Sequence, residues 1–340
     1  MAPLRVLLLL LLASSVAGCR GPDDGWPESW LDRLSDPSEA PAGRHWTVSP
    51  DRLEELFRTG KGLVRDSTPL SSGVTGADRF TVYFPALGRS VRVKWKAAPA
   101  GDADGWNNAP RKELAAYELQ KWFLPASAYV VPTTVARCIA LEDYGRLDSS
   151  AKPTLPDSRC VLGVQSLWLA RVEVPETLYD EARFRSEPLY ARHLANFNLL
   201  TYLIQHRDTR KGNVLTARNP RNRRVFAVDN GISFDGIVHN PLQNQWQHIQ
   251  VPALPRDSIE RLRAVTRERA GELATVAQFR LDGDGVLQPE EPVPPLDPSG
   301  GSRYRDGVLQ LGLTESEIDN VWKRLQDLLR RVDAGALPLF

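Results

Sequence analysis

The hydrophobic pattern changes character several times along the chain. Val6 to Ala13 is an unbroken apolar run behind the basic Arg5, shorter than the roughly 20 residues of a membrane-spanning helix. Over 19–45 periodicity gives way to Gly21-Pro22-Asp23-Asp24-Gly25, Ser35-Asp36-Pro37-Ser38 and Ala40-Pro41-Ala42-Gly43, the composition of a flexible tether. Folded structure is expected from about Trp46. Asp51 to Phe57 has helical spacing, Phe80 to Phe84 reads as a strand, Leu87-Gly88 as a turn, and Ser90 to Trp95 alternates as a second strand. Pro110 to Phe123 returns to helical spacing through Leu114, Tyr117 and the Lys121/Trp122 pair. Tyr129 to Val135 and Val161 to Val174 read as strands, separated by a loop through Ser149-Ser150 and Pro153 to Ser158. From Ser186 to Gln205 an apolar stripe of Leu194, Leu199, Leu200, Leu203 and Ile204 predicts a helix. Val214-Leu215 and Val225 to Val228, about a turn at Asn219-Pro220, predict paired short strands, and Thr314 to Val332 an amphipathic helix. Strands first and helices later make a two-lobed α+β pattern, 46–174 and 175–340.

The N-terminus reads as an export device. A basic start, a short apolar core and small residues form a secretion signal over 1–18. The run Val16-Ala17-Gly18-Cys19 resembles a bacterial lipobox, which implies cleavage before Cys19 and a lipid on its thiol. The expected location is the cell envelope of a bacterium, on an exported face, with the membrane as a partner through Cys19. Of the remaining cysteines, Cys138 and Cys160 are candidates for one disulfide in an oxidising compartment, with two buried free thiols as the alternative. With 43 basic against 42 acidic residues and a net charge of +1, no global excess points to a nucleic-acid partner, and none is expected.

Four segments carry chemistry. His206-Arg207-Asp208-Thr209-Arg210-Lys211-Gly212-Asn213 fits the pattern H-R-D, four residues, Asn. A loop closing after a helix can present Asp208 to a substrate hydroxyl and return Asn213 as an oxygen ligand for a metal. In Phe226-Ala227-Val228-Asp229-Asn230-Gly231 an apolar strand delivers a carboxylate suited to a divalent cation at phosphates. Val91-Arg92-Val93-Lys94-Trp95-Lys96 alternates apolar and basic residues. Lys94 is the preferred phosphate contact and Lys96 the runner-up, against a reading as a solvent-facing basic edge. Glu113, ahead of Leu114-Ala115-Ala116-Tyr117, is the candidate partner for that lysine, with Glu118 as the alternative. Gly73 and Gly76 could let a loop approach phosphates, although their spacing does not fit G-x-G-x-x-G.

These segments, with Arg111 to Thr134, resemble the atypical kinases: the phosphatidylinositol 3-/4-kinase superfamily, the HipA-type kinases and the secreted Golgi casein-kinase and four-jointed group. Asp-Asn-Gly in place of Asp-Phe-Gly is similar to their usage. The resemblance covers roughly 70–240 and implies a kinase-like fold with a β-rich first lobe and a helical second. It implies ATP and Mg²⁺ or Mn²⁺ as cofactors. By the same resemblance Asp208 is the catalytic aspartate, Lys94 a phosphate contact, Glu113 its support, and Asn213 and Asp229 the metal ligands. The acceptor would be a hydroxyl on a protein, lipid or sugar. No Ala-Pro-Glu segment follows Asp229, and the stretch from Ser233 to Pro255 with Trp246 and His248 departs from an activation loop. Gly236, His239 and Asn240 are candidates to shape an acceptor pocket. Two other functions fit the same residues: a nucleotide-binding pseudokinase scaffold without transfer, and a nucleotidyl transferase.

Arg280 to Glu291 resembles an EF-hand loop, with Asp282, Asp284, Gly285 and Glu291 in register. Arg280 stands where the first carboxylate belongs, and Pro292, Pro294 and Pro295 follow at once. The loop is expected to be degenerate and Ca²⁺ is not an expected cofactor, with weak Ca²⁺ binding as the alternative.

Overall fold

The computed structural model describes residues 48–70, 77–103, 109–234 and 245–340. The signal, the tether, Cys19, Gly73, Gly76, Gly236, His239 and Asn240 lie outside them. Helix α1 (Pro50–Thr59) starts at Ser49, whose hydroxyl accepts the Arg52 N–H, and buries Leu53, Leu56 and Phe57. Then come β1 (Leu63–Pro69), β2 (Asp78–Phe84), β3 (Arg89–Ala97), α2 (Pro110–Gln120), β4 (Thr134–Ala140), the single turn α3 (Leu141–Tyr144) and β5 (Cys160–Leu167). They build an antiparallel sheet in the order β1-β2-β3-β5-β4. One face presents Phe80, Val82, Phe84, Val91, Val93 and Trp95, all buried, and α1 covers it with Phe57 stacked on Phe84.

The sequence gives no sign of β1, because Arg65, Asp66 and Ser67 interrupt any apolar alternation and its register shifts between Val64 and Asp66. The strand expected over Tyr129 to Val135 begins only at Thr134. Before it, the buried Gln120 side chain takes the place of a neighbouring strand: its Oε1 accepts the N–H groups of Val130 (2.9 Å) and Val131 (2.8 Å), and its Nε2 donates to the Val131 carbonyl. The strand expected over Val161 to Val174 is two elements. β5 ends at Leu167, and β6 (Val172–Glu173) follows Arg171 at φ 57° and joins a different sheet.

The second part is richer in helix. After β6 come α4 (Glu181–Ser186), α5 (Pro188–Leu203), β7 (Val214–Ala217), β8 (Val225–Ala227), α6 (Arg256–Arg263) and α7 (Arg267–Gly271). β7 and β8 pair antiparallel as the hydrophobic pattern implies, and β6 extends them. Next are β9 (Ala277–Leu281), β10 (Leu287–Glu290), β11 (Ser302–Arg305) and β12 (Val308–Leu311), a second antiparallel sheet ordered β10-β9-β12-β11, and finally α8 (Glu315–Asp333). The EF-hand-like stretch is the β9–β10 hairpin. Strands flank it instead of helices, and Asp282 spends its carboxylate on the N–H groups of Asp284 and Val286 and on Gln288.

This late sheet packs on the first lobe. Phe279, Leu287, Leu309 and Leu311 share a core with Leu114, Ala136, Leu162 and Val164. Cys138 and Cys160, on β4 and β5 beneath it, are joined by a disulfide with a Cα–Cα distance of 5.5 Å. Helix α2 is wedged between the layers, with every residue except Glu118 buried. Among the described residues no helix is long and apolar enough to cross a membrane.

Candidate active site

The site lies where β3, α2, the loop after α5 and the end of β8 meet. Strand alternation sends Arg92, Lys94 and Lys96 to one side of β3 and Val91, Val93 and Trp95 to the other. Lys94 Nζ is 3.3 Å and Lys96 Nζ 3.2 Å from Asp229 Oδ1. Lys96, 5% exposed, also lies 3.6 Å from Glu113 Oε1. The order of preference between the two lysines therefore changes: both reach Asp229, but the pairing with the helix glutamate belongs to Lys96. Val93-Lys94-Trp95-Lys96 then becomes the segment comparable to V-A-I-K, with Lys94 where that pattern has alanine. Glu113 Oε2 accepts the Asn230 N–H at 2.8 Å, tying α2 to the turn after β8. Glu118, the alternative, points away and pairs with Lys121 at 2.8 Å.

On the opposite side, the loop after α5 is organised by His206. The ring is 1% exposed; its Nδ1 accepts the Asp208 N–H at 3.3 Å and lies 3.0 Å from the Thr209 hydroxyl. Burial pushes the imidazole down to about 4, against the Asp229 charge and a hydrogen bond to the Asp229 backbone. His206 is thus a neutral pin between the two acidic residues, a role that its place in H-R-D does not reveal. Asn213 Nδ2 donates to the Asp208 carbonyl (2.8 Å) and to Asp208 Oδ2 (2.9 Å), while the Asn213 carbonyl accepts the Val228 N–H (3.0 Å). Asp208, Asn213 and Asp229 are therefore held as one unit.

The two carboxylates are tuned in opposite directions. Burial raises Asp208, an effect that nearby Arg210 and the Asn213 amide only partly oppose and Asp229 reinforces. Burial also acts to raise Asp229, but Lys94 and Lys96 outweigh it and hold that carboxyl far below the usual range. Asp229 itself sits at φ 62°, in the left-handed region that a non-glycine residue enters at a cost. Such strain is common where side-chain direction matters more than backbone comfort. One group is an elevated carboxylate able to take a proton, the other a persistent anion at a cationic cluster.

Residues outside the motifs hold α2 in place. Arg111 makes a two-pronged ion pair with Glu317 of α8 (2.6 and 3.1 Å), Lys112 lies 3.5 Å from the same carboxylate, and Arg111 also donates to the Gly312 carbonyl. Thr314-x-x-Glu317 is a legible capping box, but nothing in the sequence says that its glutamate also binds helix α2. The arrangement of a sheet lysine paired to a helix glutamate above an Asp/Asn loop and a strand-end Asp is that of a two-lobed kinase-like fold.

No family model and no curated protein matches the chain. Among solved structures, it is similar to hydra Fam20 with sugar at 14% identity, covering 83% of this chain and 89% of that one, with a TM-score of 0.47. It is similar to the Golgi casein kinase at 12% identity, covering 90% and 81%, with a TM-score of 0.49. It is also similar to the Golgi casein kinase with Mn/ADP bound at 13% identity, covering 83% and 75%, with a TM-score of 0.45.

Proposed function

We propose that the protein is a metal-dependent phosphotransferase that moves a phosphoryl group from a nucleotide to a hydroxyl. The observation that supports this best is the convergence of Lys96 on both Glu113 and Asp229, opposite an Asp208 carboxylate fixed by Asn213. Lys96 and Lys94 set positive charge against phosphate oxygens, and Glu113 holds Lys96 at the right depth. Asp208 accepts or orients the acceptor's proton, which its raised pKa favours. The Asn213 amide keeps that carboxylate from rotating away.

The donor set suits a hard divalent cation. Asp229 and Asn213 offer oxygen atoms, and the adjacent Asn230 amide is buried without a partner among the described residues. Two such oxygen donors suit an ion of the Mg²⁺ or Mn²⁺ kind, which takes one or two protein oxygens and completes its shell with phosphate and water. When bound, it would neutralise charge on the transferring phosphoryl group.

The test is incubation of the purified protein with γ-labelled ATP and Mn²⁺, followed by autoradiography of the protein and of added hydroxyl acceptors. Asp208→Asn and Asp229→Asn are expected to abolish transfer. Label transferred equally by all three proteins would overturn the reading.

A second reading, a nucleotide-binding scaffold without transfer, is supported by the engagement of Asp229 with both lysines. Metal-dependent thermal stabilisation by ATP without labelled product would favour it. Export and lipidation at Cys19 belong to the same proposal, and the Cys138–Cys160 disulfide supports an oxidising compartment. Incorporation of a labelled fatty acid, lost in Cys19→Ala, checks the anchor. Equal labelling of both proteins would exclude it.

A further inference from the structure

The cleft-facing side of the first-lobe sheet is the side that carries Lys94 and Lys96, because both reach Asp229 across the cleft. Antiparallel register fixes what else lies there, since directly paired residues share a face. Arg79 is paired with Lys94, Thr81 with Arg92, and Ser166 with Lys94. Along β3, Arg92, Lys94 and Lys96 alternate onto the same face. Trp168, just past β5, lies under the Arg79 guanidinium at 5.7 Å, donates its backbone N–H to the Arg92 carbonyl, and is 36% exposed. The roof of the cleft is thus a strip of four cations that runs roughly 13 Å along β3 from Lys96 to Arg92.

The charge balance along the strip is uneven. At its inner end, Lys96 and Lys94 are matched by Asp229 and Glu113. At its outer end, no carboxylate among the described residues forms an ion pair with Arg79 or Arg92. Asp66, which shares the row of Thr81 and Arg92, forms no ion pair with Arg92 or Arg79. A nucleobase is held chiefly by apolar surface. Here the two side chains in the middle of the roof are Lys94 and Arg79, and Ser166 is beside them. Arginine pairs with phosphate through two parallel N–H donors, so the outer cations suit a ligand that continues as phosphate.

We propose that this roof is a phosphate-chain site, whose ligand sets phosphates and not a base against Arg79, Lys94 and Arg92. The proposal rests on the reading of the cleft given above. A nucleoside polyphosphate and an inorganic polyphosphate share this chemistry.

Calorimetric titration of the purified full chain in Mn²⁺ with ATP, inorganic tripolyphosphate, a longer inorganic polyphosphate and adenosine separates the cases. Tripolyphosphate is expected to bind within about tenfold of ATP and to compete with it, while adenosine does neither. Arg79→Gln and Arg92→Gln are each expected to weaken tripolyphosphate binding about tenfold, the loss of one charged hydrogen-bonding partner. Tighter binding of the longer chain than of ATP would identify the inorganic source, and the reverse order the nucleoside source. Competition is read on the unaltered protein and needs no variant to fold. If adenosine competes with ATP and tripolyphosphate does not, the proposal is overturned. If ATP binds and the arginine variants bind tripolyphosphate as tightly as the parent, the strip fails while the cleft reading stands. If no phosphate ligand binds the parent protein, the cleft reading fails and the strip with it.

Discussion

Glu317→Gln tests how helix α2 is held. Glu317 receives both prongs of Arg111, lies 3.5 Å from Lys112, and accepts the Thr314 N–H at 2.9 Å, with the three charged side chains only 8–11% exposed. Glutamine keeps the capping box, which accepts either residue at that position, and so isolates the charge. Two buried cations then lose the charge of Glu317, and breaking a buried pair from one side costs about 3–5 kcal/mol. At roughly 2 °C per kcal/mol for a chain of this size, the melting midpoint is expected to fall by about 6–10 °C in scanning calorimetry. Replacing the whole group (Arg111→Met, Lys112→Met, Glu317→Leu) is expected to recover most of that loss, since an apolar trio carries no desolvation penalty.

The acid limb of the stability curve supplies an independent reading. Burial acts to raise Glu317, but Arg111 outweighs it and the net shift is downward. A depressed carboxyl contributes stability at neutral pH that is lost as pH falls through its folded pKa. Glu317→Gln is therefore expected to flatten that part of the curve. A midpoint within about 2 °C of the parent, or a triple variant no more stable than the single one, would show that the charges are solvated and the reasoning wrong.

Three further outcomes follow from the same geometry. Lys96→Met is expected to reduce phosphoryl transfer by about 10²–10³-fold, and Lys94→Met by less, because only Lys96 is paired with Glu113; initial-rate assays with labelled ATP decide it. Reduction of the Cys138–Cys160 bridge, with its sequence separation of 22, is expected to cost about 3 kcal/mol by loop-closure entropy, read as an equilibrium denaturation midpoint with and without dithiothreitol. The buried His206, with its pKa near 4 against 6.5, makes the unfolded chain bind the extra proton between those values, so stability is expected to fall by about 3 kcal/mol as pH drops from 6.5 to 4. Chemical denaturation of the parent and of His206→Gln checks this, since glutamine removes that share of the slope.

Local pattern made several features legible. The Asp208 and Asn213 loop, the strand that delivers Asp229, the β7–β8 pair and the capped last helix all follow from spacings of a few residues. Alternation in β3 shows that Lys94 and Lys96 share a face, but not which of them meets Glu113. That depends on where α2 sits, and α2 is positioned by Arg111 and Lys112 against Glu317, some two hundred residues later in the chain. The β9–β12 sheet was equally hidden. Its strands are four or five residues long and interrupted by charge, so the Asp282-Gly283-Asp284-Gly285 turn resembled a calcium loop more than a hairpin. The missing start of β4 has a side-chain cause: Gln120 supplies bonds that spacing assigns to a strand.

Gly301 shows how far the late sheet constrains the early helix. A Cβ at 301 would fall on the Arg111 guanidinium, and that group is not free to swing aside because Glu317 and the Gly312 carbonyl fix its far end. The Gly301 carbonyl accepts the Gly312 N–H at 2.9 Å, so the backbone is also tied. Gly301→Ala must then push Arg111 off Glu317 or bend the strand entry, and either relieves the clash by loosening α2. The expected result is a destabilisation of about 1–3 kcal/mol together with weaker nucleotide binding, because Glu113 lies two residues from Arg111 on the same helix. In Gly301→Ala combined with Arg111→Ala the clash is gone, so most of the added cost of the alanine should vanish in a double-mutant cycle. Additive effects of the two substitutions would mean that the glycine is required by its own backbone, and that the late sheet does not set the position of α2.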